Sequence, residues 1–142
     1  MTTKDTNPKE AIGLTKLPLH LWPSLASAYG CIGLLNGAEK YGRGNYKATP
    51  VIASIYIAAL KRHLSEWEEG VEYDGDGVPH IAAILANCAI LLEARSVGTL
   101  IDDRNIEGGY MREVNKLTAI AQSLVELHKD KNPRHYTIKD NK

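Results

Sequence analysis

The chain has 142 residues, of which 44% are hydrophobic and 24% charged, which is typical of one soluble globular domain. Lys and Arg together number 17, as do Asp and Glu, so the formal net charge is zero. A neutral chain lacks the positive charge with which nucleic-acid-binding proteins displace counterions, so we expect no nucleic-acid partner. Two cysteines, Cys31 and Cys88, are too few for a disulfide framework, and their apolar neighbours predict buried thiols in a reducing compartment.

The sequence carries no visible targeting or membrane segment. Its N-terminus has no apolar signal core, and the longest apolar run, 81–92, is shorter than the roughly 20 residues that span a bilayer. We therefore expect a cytoplasmic protein with no membrane partner. Polar composition predicts a flexible N-terminal tail over 1–16 and a polar C-terminal tail over 130–142, which leaves a helical domain at 17–129.

Between these tails, the sequence predicts four successive helices. The first predicted helix, 24–41, contains three glycines, which indicate close packing against another helix or a ligand. The second begins at Thr49-Pro50, a capping residue followed by a proline suited to the first turn, and runs to residue 69. Two more helices are predicted over 79–100 and 111–129, and no convincing strand is found. Four helices with short connections predict an all-α, antiparallel four-helix bundle.

The end of the second predicted helix is unusually rich in charge. Arg62, Glu66 and Glu69 lie on one side with His63 at its edge, and glutamates three residues apart can share a divalent cation. Six acidic residues and no basic residue occupy 66–76. Bound Mg²⁺ or Mn²⁺ would offset their repulsion, whereas a solvated acidic loop would need no metal.

Polar residues on the first and third predicted helices suggest a ligand pocket. His80 and Asn87 are seven residues apart and face the same way, with the small Ala83 between them, which leaves room for a flat ligand. Lys40, at the end of the first helix, is favoured there by the helix dipole and could also hold a phosphate. The chain has no P-loop, GxSxG, CxxC or HExxH motif and no adjacent His-Asp pair.

Taken in order, these pieces resemble the phage dATP/dGTP diphosphohydrolase-like proteins, relatives of the all-α MazG-type nucleotide pyrophosphohydrolases. The matching motifs are Gly37-Ala38-x-Lys40-Tyr41-Gly42-x-x-Asn45, Arg62-His63-Leu64-x-x-Trp67-x-x-Gly70, the positions Asp74, Gly77, His80 and Asn87, and Leu100-Ile101-Asp102-Asp103-Arg104. The resemblance implies a helical homodimer or homotetramer that releases pyrophosphate from a (deoxy)nucleoside triphosphate, with dGTP the expected substrate. It also implies Mg²⁺ or Mn²⁺ bound by carboxylates.

The resemblance assigns part of the metal site. Glu66-x-x-Glu69 fits the family's first ExxE pair, but His80-x-x-Ala83 stands where the second helix pair, ExxD, is expected. The missing metal ligands are therefore expected to be Asp74 and Asp76.

The remaining candidates receive roles in catalysis or substrate binding. His63 or a carboxylate would orient the attacking water, and Arg62 and Lys40 would hold the polyphosphate. The other expected substrate contacts are Tyr41, Asn45, His80, Asn87 and Asp103. An alternative hypothesis, favoured by the departure at His80-x-x-Ala83, is a non-catalytic helical oligomer that binds nucleotides or another partner.

Overall fold

The computed structural model describes residues 7–141, and most of them are helical. The helices are α1 (Pro8–Gly13), α2 (Ser24–Tyr41), α3 (Ala53–Glu68), α4 (His80–Val97) and α5 (Tyr110–Leu127). The strands are β1 (Val51–Ile52) and β2 (Leu100–Ile101), and short 3₁₀ turns lie at Leu19–Leu21, Asn45–Lys47 and Ile138–Asp140. The all-α class is therefore correct for nearly the whole described chain, and each of the four predicted helices has a counterpart.

Helix α4 is the centre of the fold, because both α2 and α3 pack against it. It presents small side chains to its neighbours, and Ala82, Ala86 and Ala94 are buried. A Cβ atom added to Gly33 of α2 would lie 2.4 Å from the carbonyl oxygen of Ala82 and 2.7 Å from the Cβ of Ala86. The close helix packing predicted from the glycines of α2 is thus confirmed at Gly33.

The prediction that no strand is present was wrong for four residues. Val51 pairs with Leu100 and Ile52 pairs with Ile101 in a small parallel sheet. Strands of two residues are too short to show a periodic pattern in the sequence, which explains why they were missed. The pairing also delays the start of α3 to Ala53, three residues beyond the predicted start.

Helix α5 does not complete a four-helix bundle within the single chain. It packs extensively on none of α2, α3 and α4, and Gly109 and Val114 are the only partly buried residues of 101–141. The side chains of Leu117 and Leu124 are 60% and 51% exposed. The described chain therefore forms a three-helix unit with a separate amphipathic helix.

The two cysteines also differ from expectation, since Cys31 and Cys88 are both free and exposed. They belong to α2 and α4, and each of these helices buries only part of its circumference. By length and composition alone, α4 is apolar enough to cross a membrane. It packs against both α2 and α3, and 22% of its residues are buried.

The terminal segments contain some ordered contacts. Helix α1 lies within the segment predicted as an N-terminal tail, whose first six residues are outside the described part of the chain. Near the other end, Ile138 lies against Gly70, where an added Cβ would be 2.4 Å from the Cδ1 of Ile138. Gly70 has a φ of +90°, which suits glycine where the chain turns after α3.

Candidate functional site

A cavity of about 260 Å³ opens between α2, α3 and α4. Four of the residues predicted to contact substrate line it, although they come from separate parts of the sequence. The candidate residues on its wall are Lys40, Tyr41, Asn45, His63, Asp74 and Asn87. The fold therefore brings polar side chains of α2, α3, α4 and their connecting loops together around one cavity.

Sequence reasoning missed two further polar residues of the cavity wall, Asn36 and Tyr56. Asn36 precedes Lys40 by four residues on α2, and Tyr56 precedes His63 by seven on α3, so each shares a helix face with a predicted residue. Those spacings were the available signal. Gly37 also lines the cavity, and nothing lies within 4 Å of the position where its Cβ would be.

Beside the cavity, three side chains that can bind metal lie together: His63, Glu66 and His80. His63 and Glu66 are three residues apart on α3, and His80 is the first residue of α4. The Nδ1 atoms of the two histidines are 2.8 Å apart, and His80 Nε2 is 3.1 Å from Glu66 Oε2. The side chain of Glu66 is 58% exposed, so the cluster can be reached from solvent.

His80 is the only polar residue that is fully buried among residues 7–141. Its Nε2 has no hydrogen-bond partner, because the nearby Glu66 carboxylate does not meet the geometry of a hydrogen bond. Burial is also the main reason why the pKa of His63 is lowered, and the neighbouring His80 lowers it further. The neutral His63 imidazole that results at pH 7 can accept a proton or bind a metal.

Hydrogen bonds within the acidic loop after α3 stabilise part of its negative charge without a metal. The Oδ1 atom of Asp74 accepts hydrogen bonds from the backbone nitrogens of Asp76, at 2.8 Å, and Val78, at 3.0 Å. The backbone nitrogen of His80 donates to the carbonyl oxygen of Glu72, at 2.9 Å. These bonds close a tight turn that places His80 at the start of α4.

Asp76 forms an ion pair with Lys40, with 2.5 Å between Oδ2 and Nζ. The hydrogen bond between them raises the pKa of Lys40 and lowers the pKa of Asp76. Repulsion within the acidic segment is thus partly relieved by a lysine 36 residues away in the sequence. Lys40 can contact a phosphate only by giving up this partner or sharing it.

The four carboxylates predicted as metal ligands do not form one group. Within residues 7–141, the only group of three or more potential metal ligands is His63, Glu66 and His80, which contains one of the four. Glu69 lies exposed just after the end of α3. Asp74 and Asp76 have the partners described above, so the participation of these three acids remains a prediction.

Arg62 and Asp103 lie away from the wall of the cavity. Arg62 borders a shallow depression of about 500 Å³ on α3, which it shares with His63 and Glu66. Asp103 caps the start of α3, since its carboxylate accepts hydrogen bonds from Ser54 N and Ser54 Oγ, at 2.8 and 2.5 Å. The Ser54 hydroxyl is the main reason why the pKa of Asp103 is lowered.

Asn87 faces the cavity with a defined orientation. Its Nδ2 donates to the carbonyl oxygen of Ala83 one turn earlier, at 2.8 Å. No described residue donates to its Oδ1, which leaves that oxygen available to accept from a ligand. Asn87 therefore offers the cavity a fixed hydrogen-bond acceptor.

Comparison with known proteins identifies a family for the chain. No curated protein and no solved structure gives a significant match to it. A family model does match, described as dATP/dGTP diphosphohydrolase, N-terminal, and it covers residues 6–104. The match spans every residue of the cavity and of the His63, Glu66 and His80 cluster, and it ends before α5. The chain therefore belongs to the dATP/dGTP diphosphohydrolase family and carries that family's N-terminal domain.

Proposed function

We propose that the chain hydrolyses a deoxynucleoside triphosphate, with dGTP preferred, to the monophosphate and pyrophosphate. The observation that supports this proposal is the cavity itself. It joins Lys40, Tyr41 and Asn87 to His63, which also belongs to the potential metal-binding cluster. One site can thus hold a base, a polyphosphate and an ion.

The phosphates would be bound by the two basic residues at the edges of the site. Lys40 acts as a point charge, and an arriving triphosphate would compete with Asp76 for it. Arg62, beside His63 in the neighbouring depression, would grip phosphate oxygens with its planar, bidentate guanidinium group.

The base would occupy the part of the cavity lined by aromatic rings and amides. Tyr41 or Tyr56 would stack on the purine, and Asn45 would contribute a second amide. The Oδ1 of Asn87 can accept a hydrogen bond from the C2 amino group of guanine and equally from the C6 amino group of adenine. Our reason for naming dGTP is therefore the family resemblance of the sequence motifs.

The donors of the cluster fit a divalent cation, because two imidazoles and a carboxylate all offer lone pairs and His80 Nε2 is otherwise unused. When bound, such an ion, expected from the family to be Mg²⁺ or Mn²⁺, neutralises charge on phosphate oxygens and lowers the pKa of a bound water. Glu66 would hold the ion, and neutral His63 would orient the attacking water or help to hold the ion.

We further propose that the protein acts as a homodimer or homotetramer. The chain exposes 12069 Å², whereas a compact monomer of 15.6 kDa exposes about 7,300 Å². The apolar side of α5 accounts for part of this excess and would be covered by a second copy. A protein acting on free nucleotides would work in the cytoplasm, independently of nucleic acid and membrane.

We also propose which member of the family the chain resembles and what role its product has. The sequence motifs also resemble those of MazZ, a (d)GTP diphosphohydrolase of phages that replace adenine with 2-aminoadenine in their DNA. A phage-encoded enzyme of this kind would supply dGMP for synthesis of the modified purine.

The proposal is tested by incubating the purified chain with each of the four dNTPs and a divalent cation, then separating the products. We expect dGMP and pyrophosphate from dGTP, with slower turnover of the other nucleotides. Absence of product from every nucleotide would favour the non-catalytic oligomer. Release of nucleoside and triphosphate would instead indicate a triphosphohydrolase.

A further inference from the structure

We propose that His63, Glu66 and His80 form a binding site for a later first-row transition metal such as Fe²⁺, Co²⁺ or Zn²⁺, and that the site discriminates against Mg²⁺. The inference rests on the proposed function for the role of the ion, but metal binding itself needs no nucleotide. It differs from the expectation for a site built from carboxylates alone.

The chemistry of the donors is the first argument. Two of the three groups are imidazoles, which suit Zn²⁺, Fe²⁺ and their neighbours, whereas Mg²⁺ prefers an octahedron of oxygen atoms. Two histidines and one carboxylate are a common ligand set for catalytic metals, because they leave positions open for water or substrate. Here the open side would face the cavity, since His63 lines both the cavity and the cluster.

The second argument is the buried nitrogen of His80. Its ring is fully buried, and Nε2 lacks a hydrogen-bond partner although Glu66 Oε2 is only 3.1 Å away. Buried polar atoms are nearly always satisfied, so this exception requires an explanation. In the tautomer of His80 that carries its proton on Nδ1, a metal ion shared with Glu66 would use the lone pair of Nε2 and remove the anomaly.

Distances within the cluster are compatible with a shared ion. Metal–ligand bonds of about 2.0–2.2 Å keep two ligands of one ion within about 4.4 Å of each other. One ion uses one nitrogen of each imidazole, and such a set of three ligand atoms lies within 4.8 Å of one another, so small side-chain shifts bring them within this limit.

Nearby acids offer little competition for the ion. One carboxylate oxygen of Asp74 accepts hydrogen bonds from two backbone N–H groups, and Asp76 forms an ion pair with Lys40. Among the described residues, no group of three carboxylates comes together that would provide the all-oxygen shell favoured by Mg²⁺. The histidine cluster is therefore the better-prepared metal site.

The test is direct metal binding by the full chain after chelator treatment, without nucleotide. Calorimetry with Zn²⁺, Co²⁺ and Mg²⁺ would give affinities, and the visible absorption of bound Co²⁺ would report on its ligands. We expect about one equivalent per chain, with Co²⁺ and Zn²⁺ bound at least about 10-fold more tightly than Mg²⁺.

Variants assign the binding to this cluster. His63→Gln and Glu66→Gln are chosen because neither side chain is fully buried, and circular dichroism would verify that each variant folds. Each should weaken Co²⁺ binding by about 10-fold or more and change its spectrum. His128→Gln is the matched control, since His128 is exposed outside the cluster and its loss should change nothing.

Two results of the binding experiment would overturn the inference: Mg²⁺ binding as tight as that of Co²⁺ and Zn²⁺, or unchanged Co²⁺ affinity in His63→Gln. The metal preference and the proposed function can be refuted independently of each other. Tight Co²⁺ binding without dNTP hydrolysis would refute only the function. Efficient hydrolysis with Mg²⁺ that is insensitive to His63→Gln would refute the metal preference and the role of His63, while the proposed dNTP hydrolysis itself would stand.

Discussion

Helices α4 and α5 have the same length, 18 residues, but opposite relationships to the rest of the molecule. Helix α4 is apolar around most of its circumference and is held by small side chains between α2 and α3. Helix α5 has one apolar stripe, formed by Val114, Leu117, Ala121 and Leu124, which remains largely exposed. The comparison indicates that α4 organises the site within one chain, whereas the described part of the chain leaves the apolar stripe of α5 uncovered.

The family match draws the same boundary. It ends at residue 104, after β2, and thus includes α2, α3 and α4 but excludes α5. Changes near α4 should therefore affect chemistry or folding, and changes on α5 should affect association. Each prediction below tests one side of that division.

The largest expected effect is on turnover. Glu66→Gln keeps the shape of the side chain but removes its charge, so dNTP hydrolysis should fall by about 100-fold or more. Circular dichroism should not change, because this side chain is exposed. Glu113→Gln, on α5, is the control and should retain full activity. Normal activity in Glu66→Gln would remove Glu66 from the site.

The proposed role of α5 in association between copies of the chain is tested by substitutions on that helix. Leu124→Asp places a charge within the apolar stripe and should shift the protein to monomer in analytical ultracentrifugation at micromolar concentration. Ala119→Asp, on the opposite side of the same helix, should leave the oligomer intact. A Leu124→Asp variant that sediments like the wild type would show that α5 is not the interface.

The packing of α2 against α4 is tested with two glycines of α2. Gly33→Ala introduces a Cβ against the backbone of Ala82 and should incur an overpacking cost of about 1–3 kcal/mol. Gly37→Ala meets no atom within 4 Å and should gain up to about 1 kcal/mol from helix propensity. Chemical denaturation measures both, and equal stabilities would contradict the close contact at Gly33.

A smaller effect is expected at the ion pair between Lys40 and Asp76. Asp76→Asn frees Lys40 for phosphate, so KM for dGTP should fall a few-fold while kcat is kept. Lys40→Met should raise KM. A large loss of kcat in Asp76→Asn would instead show that Asp76 is a metal ligand, as the sequence predicted.

The sequence predicted the helices and much of the cavity wall because both depend on local spacing. Lys40, Tyr41 and Asn45 lie at or just after the end of α2, and Asn87 lies on α4, so the predicted helices already place them on the wall of one cavity. Their contact with substrate stays a prediction. The end of α3 before Gly70 was likewise readable from one residue, whose positive φ favours glycine.

The metal ligands could not be predicted in the same way, because their arrangement depends on contacts distant in sequence. The acidic residues of 66–76 could not be distinguished by sequence. In the structure, however, Asp74 accepts hydrogen bonds from the backbone of its own turn, and Asp76 forms an ion pair with Lys40. His63 and His80 meet only because the turn at 72–80 returns the chain to α3. Residue type alone did not reveal these partners.

The central claim is that the cavity and the histidine cluster form one active site. It is tested most directly by a crystal structure with a non-hydrolysable α,β-methylene analogue of dGTP and a divalent cation. The account predicts the guanine beside Tyr41 and Asn87, with the α-phosphate next to an ion on Glu66 and the two histidines. A nucleotide bound elsewhere on the chain, with the cluster unengaged, would contradict it.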